Sequence, residues 1–193
     1  MSFAWGAISA HIVTPILGSS NLGFVMCAFG VADALGSTVV GKLSDVVGRM
    51  PVILGGAALQ AGLSVWLLLT NGTAGAAAGS VDGAVLGGSF GAWPRLLLLA
   101  AGWGLGDAVW NTLISSMMGT CYGDKTEAAF SNFKLWQSLA ASLCFFLQSK
   151  VIIINQLYII VGTLAVAIVC YLIAECFYFK DDAYEEYVDE EIY

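Results

Sequence analysis

Five stretches of this sequence are apolar over about the 20 residues that an α-helix needs to cross a bilayer. They run over Asn21–Leu43, Pro51–Thr70, Trp93–Met118, Ala129–Gln148 and Ile152–Phe177. The second carries no charge, and the fifth carries none before Glu175. Runs of this length predict an all-α membrane protein of about five transmembrane helices. The 193 residues are 59% hydrophobic and only 11% charged, with a mean hydropathy of +0.83, whereas soluble domains are about one quarter charged. Cytosolic enzymes are therefore poor candidates. No basic patch exists to hold nucleic acid.

Three regions follow. Residues 1–20 are broken by His11 and Pro15 and lack a basic n-region, so they are expected to form an extracytoplasmic lead-in, not a signal peptide. Residues 21–177 form the helix bundle. Residues 178–193 form an acidic tail, and the composition of Tyr184–Tyr193 predicts disorder. From Lys180 onward it holds seven acids and one lysine, nearly the whole of the net charge of −7. Putting the Lys42–Arg49 loop in the cytoplasm leaves Lys42, Arg49, Lys125, Lys134 and Lys180 on that side and Arg95 and Lys150 on the other. The excess of positive charge favours this orientation and a cytoplasmic tail. It also places the sequon Asn71-Gly72-Thr73 outside, where Asn71 is a glycosylation candidate. The five cysteines form no CxxC pair and fall mostly in apolar runs, so neither a disulfide framework nor a metal site is expected.

The chemistry of interest lies inside the spans. Asp107 is near the middle of the third, within Trp103-Gly104-Leu105-Gly106-Asp107-Ala108-Val109-Trp110-Asn111-Thr112, and Asn111 follows one helical turn later on the same face. Asp33 falls near the centre of the first span, and Lys134 about one turn into the fourth. Ionisable groups at such depth are costly and mark an ion path, a proton relay or a buried pair. A structural hydrogen bond gluing helices together accounts for them equally well. Small residues recur at spacing four, as in Ala32/Gly36 and Gly102/Gly106, which lets helix backbones approach closely. No Ser/His/Asp set or phosphate-binding loop is present, so no enzymatic activity and no cofactor are expected.

The connection Gly41-Lys42-Leu43-Ser44-Asp45-Val46-Val47-Gly48-Arg49-Met50 has the form G-x-L-x-D-x-x-G-R. In it Gly41 is expected to end a helix close to its neighbour. Asp45 is placed to accept backbone N–H bonds at a nearby helix start, and Arg49 to bridge to a carboxylate or to helix-end carbonyls. The loop resembles the signature loop of the major facilitator superfamily. Phe29–Leu35, this loop, Trp103–Thr112 and Glu127–Leu139, in that order, are similar to the Unc-93 family, a branch of that superfamily. The resemblance covers residues 20 to 178 and implies helices eight to twelve of a twelve-helix fold, with the N-terminal half missing. The chain is accordingly expected to be a fragment.

The resemblance implies an accessory or regulatory subunit in the bilayer, at the plasma membrane or an endomembrane, whose partner is an ion channel, notably a potassium channel, or a membrane receptor in transit. The alternatives are half of a secondary transporter that uses Asp33 or Asp107, and an inert fragment. The orientation is testable: endoglycosidase treatment should shorten the glycosylated protein, Asn71→Gln should abolish that shift, and a tail epitope should stain only permeabilised cells.

Overall fold

Glycine backbones decide where the first helices stop and how closely they pack. The computed structural model describes residues 6, 13–73, 88–148, 150, 151 and 153–192. Five long helices follow one another: α1 (Leu22–Val47), α2 (Arg49–Thr73), α3 (Gly88–Tyr122), α4 (Thr126–Gln148) and α5 (Ile153–Ile192). A single turn at Thr14–Leu17 and a 3-10 turn at Ser19–Asn21 lead into α1. Among the described residues there is no strand. Among the described residues, four continuous helical stretches are long and apolar enough to cross a membrane: Ser19–Val47, Arg49–Leu69, Trp93–Leu147 and Asn155–Cys176. The third, at 55 residues, is far longer than one crossing requires, and it contains both α3 and α4, which meet at the 3-10 turn Gly123–Lys125. The chain is an all-α, multi-pass membrane protein.

Several boundaries differ from those read in the sequence. α1 does not stop at Leu43 but continues to Val47, because Lys42, Ser44 and Asp45 are polar without being helix breakers. Gly41, expected to end a helix against its neighbour, lies inside α1 with open space where a Cβ would stand. The break falls at Gly48, whose φ of 92° and ψ of 160° belong to a region that only glycine occupies comfortably. Its N–H donates to the Ser44 carbonyl at 3.0 Å, closing the last turn of α1. Gly48 alone separates α1 from α2. α3 begins five residues before Trp93 and carries Pro94 in its second turn, where the ring removes one intrahelical N–H bond.

The largest departure is the tail. Disorder was expected over Tyr184–Tyr193, yet α5 extends to Ile192. Neither Gly nor Pro occurs after Gly162, so nothing in the backbone interrupts the helix once the span has started it. His11 and residues 74–87 lie outside the described residues. Asn71 is in the last turn of α2, its side chain outside the described set.

α3 is the axis of the bundle. On one side it meets α1 so closely that a Cβ at Gly104 would stand 2.6 Å from the Phe29 carbonyl oxygen and 3.2 Å from the Asp33 nitrogen. Lower on the same seam, a Cβ at Gly36 would meet Leu105 at 2.9 Å and Ala108 at 3.0 Å. On the next side α2 approaches: Gly56 lies under Val109, Gly102 under Leu63, and Gly106 under the Gln60 side chain. Two apolar clusters result. One joins Val13, Val25, Leu67, Leu96, Leu99 and Leu157 at the end where α1 begins. The other joins Val40, Ile53, Val109, Leu113 and Tyr171 at the Gly48 end. α4 packs against α3 and leaves Leu135, Trp136, Leu139 and Phe146 exposed, a face suited to lipid.

Close approach at Gly104 should be a requirement of the fold. Gly104→Val forces the α1 and α3 backbones apart and is expected to cost at least the roughly 1–3 kcal/mol of an overpacked core. Gly41→Ala, in open space, should be neutral or slightly stabilising. Thermal unfolding in mild detergent, followed by helicity, compares the two.

Candidate functional site

The helical repeat of α3 puts Trp103, Asp107, Trp110 and Asn111 on one face. That face turns away from the glycine seam with α1 and borders a cleft of about 400 Å³ completed by residues of α2, α4 and α5. The cleft lies between the two apolar clusters, so the polar groups form a layer midway along the bundle.

The layer is built from amides. Gln60, 2% exposed, projects from α2 over Gly106, where only hydrogen leaves room for it. Its Oε1 accepts the Trp110 indole N–H at 2.9 Å. Ser64, fully buried one turn along, donates to the Gln60 carbonyl at 2.8 Å. On the α4 side, the Lys134 ammonium donates to Gln137 Oε1 at 2.8 Å and stands 5.3 Å from the Phe133 ring centre. Gln137 Nε2 reaches Asn111 Oδ1 at 3.5 Å, a long contact, and Asn111 Nδ2 donates to the Asp107 carbonyl at 3.2 Å. Lys134 is thus linked to the Asp107 turn through two amides.

Asp107 is half-buried and lines the cleft. Asp33 and Lys134 both lie within electrostatic range of it. Asp33 is held there by the seam, since its backbone nitrogen lies against Gly104, three residues before Asp107. The structure therefore gathers Asp33, Asp107, Asn111 and Lys134 into one neighbourhood, although they come from three helices.

The loop residues go elsewhere. Asp45 is exposed on the last turn of α1, three residues before the break at Gly48. Arg49, the first residue of α2, is half-buried and within electrostatic range of Tyr171 on α5. A buried carboxylate at this end is Glu175, 2% exposed and one turn beyond Tyr171. Glu175 and Tyr171 mark a second polar spot, at the Gly48 end and separate from the Asp107 cleft.

The family described as "Ion channel regulatory protein UNC-93" matches residues 12–172. The chain belongs to the UNC-93 family. It is 34% identical over 152 residues to UNC93-like protein 3 of Arabidopsis thaliana, covering 76% of this chain and 29% of that protein. It is 30% identical over 174 residues to protein unc-93 homolog A of Danio rerio, covering 90% and 34%. It is 29% identical over 168 residues to the putative potassium channel regulatory protein unc-93 of Caenorhabditis elegans, covering 83% and 20%. The chain spans about a third of the length of the first two of these relatives. No solved structure matches it significantly.

Gln60 is the residue of this UNC-93 chain that the sequence concealed. A neutral amide in a charge-free run draws no attention, and its partner is 50 positions away. The available signal was the coincidence of one glutamine in α2 with a glycine, Gly106, at matching depth in α3. Gln60→Leu should leave the Trp110 N–H without an acceptor and destabilise the bundle by about 1–3 kcal/mol. Gln60→Leu combined with Trp110→Phe should recover part of that loss, since both polar partners are then gone. A double-mutant cycle on thermal unfolding measures the coupling.

Proposed function

We propose that this chain is the membrane-embedded part of an ion-channel regulatory protein, acting through lateral contacts between its helices and those of a channel. The observation that carries the proposal is the match of residues 12–172 to a family described as ion channel regulatory. The printed name of the nematode relative, a putative potassium channel regulator, makes a potassium channel the partner of choice. The exposed apolar flank of α4, from Leu135 to Phe146, supplies a surface on which another membrane helix can pack without loss of burial elsewhere. Regulation through protein contact asks nothing of the chain as an enzyme. The positive-charge bias puts the Gly48 end and the acidic extension of α5 in the cytoplasm. The five helices correspond, in this reading, to the last five of a major-facilitator-like fold.

A second reading, that the parent protein moves a solute coupled to ions, is favoured by the Asp107-lined cleft. The two readings separate experimentally. Co-expression with potassium channels should alter whole-cell current by about twofold or more, the scale of a coupling near 0.5–1 kcal/mol, and the channel should co-purify in mild detergent. Replacing Leu135 and Leu139 by tryptophan should abolish both effects. Unchanged current with no co-purification overturns the regulatory reading. Ion-gradient-dependent uptake in proteoliposomes, lost in Asp107→Asn, would put transport in its place.

A further inference from the structure

The cleft at Asp107 does not end there. A second hollow, about 430 Å³, lies between α3 and α5 toward the Gly48 end. It shares Trp110, Ile114 and Ala167 with the first, so the two form one channel-like groove with unlike ends. The inner end presents the Asp107 carboxyl, the amides of Asn111 and Gln137, and the aromatic rings of Trp103, Trp110 and Phe133. The outer end is lined by Met117, Met118, Ala174, Tyr122, Tyr171 and the thiols of Cys121 and Cys170. Each hollow falls in the size range of small-molecule sites.

Charge selects the occupant. Asp107 is the only carboxylate lining either hollow among the described residues, and Asp33 lies within range behind it. The cation nearby, Lys134, is outside the lining and directs its ammonium to Gln137. An anion entering the groove would face two carboxylates. A neutral sugar-like solute would leave the methionine end without contacts. An organic ammonium ion satisfies Asp107 and gains from the negative faces of the surrounding rings. The methionines at the other end offer a soft, adaptable wall for an apolar body.

We propose that this groove binds an amphipathic organic ammonium ion, its charged nitrogen at Asp107 and its apolar body along Met117 and Met118. The site rests on the Asp107 cleft described above and requires no channel partner.

The test uses the purified chain in zwitterionic lipid nanodiscs and 4-phenylbutylammonium as probe, titrated by calorimetry. Binding should be saturable. Tetramethylammonium, which lacks the apolar body, should bind about tenfold more weakly, and removal of the carboxylate in Asp107→Asn should weaken 4-phenylbutylammonium by a similar factor, the scale of a partly desolvated cation contact. Ala167→Trp, which fills the junction of the two hollows from the α5 side, should abolish binding, and thermal unfolding confirms that both variants fold. Met118→Gln should weaken 4-phenylbutylammonium but not tetramethylammonium. Non-saturable partition into the nanodisc, equal binding of 4-phenylbutyrate, or unchanged affinity in both Asp107→Asn and Ala167→Trp overturns the site. Ammonium binding in a protein that leaves channel currents unaltered overturns the regulatory reading alone; altered currents without ammonium binding overturn the ligand alone.

Discussion

The backbones of α1 and α3 touch. At Gly104 there is no room for a methyl group between α3 and the Phe29 carbonyl of α1, and everything else in the bundle is positioned by that approach. Lipid tails are as apolar as leucine, so helices in a bilayer gain little from burying apolar side chains and must associate by close packing and hydrogen bonding. Glycine on α3 serves both. Gly104 admits the backbone of α1, and Gly102 and Gly106 admit Leu63 and Gln60 of α2. A larger residue at Gly104 would part α1 from α3 and withdraw Asp33 from Asp107, and one at Gly106 would displace the Gln60 side chain.

The polar layer depends on the same geometry. Gln60 is buried over Gly106, and its hydrogen bond to Trp110 orients an indole that then walls the cleft. The Lys134–Gln137–Asn111 series ties α4 to α3 by a row of contacts of which one, at 3.5 Å, is long. α4 is otherwise the least enclosed helix, with most of its side chains exposed. The α1–α3 seam is thus set by backbone approach, whereas the one hydrogen bond shown between α4 and α3 is the long Gln137–Asn111 contact. A bundle made this way is firm on one side and adjustable on the other.

Most of the helices could be read directly from the chain, because runs of about 20 apolar residues have few other solutions in lipid. The shared face of Asp107 and Asn111 was equally legible, since it follows from their spacing of one helical turn. Helix ends were not. Polar residues such as Lys42 and Asp45 suggested a loop, but only the backbone of Gly48 breaks the helix. The acidic tail suggested disorder, but a helix already nucleated by its apolar part propagates through acids when no glycine or proline intervenes. Gln60 was missed for a third reason: its meaning comes from contacts with Gly106 and Trp110, and no single stretch of sequence contains all three.

The unbroken course of α5 makes it a lever. Its apolar part ends near Cys176 and the helix continues to Ile192, a projection of roughly 24 Å at 1.5 Å per residue. With the apolar part as fulcrum, a tilt of about 10° carries the far end through roughly 4 Å by the same dimensions. Small rearrangements around Tyr171 and Glu175, or at the groove wall formed by Ala167 and Ala174, are thereby magnified where the acidic end of the helix lies. A disordered tail would have lost that displacement within a few residues.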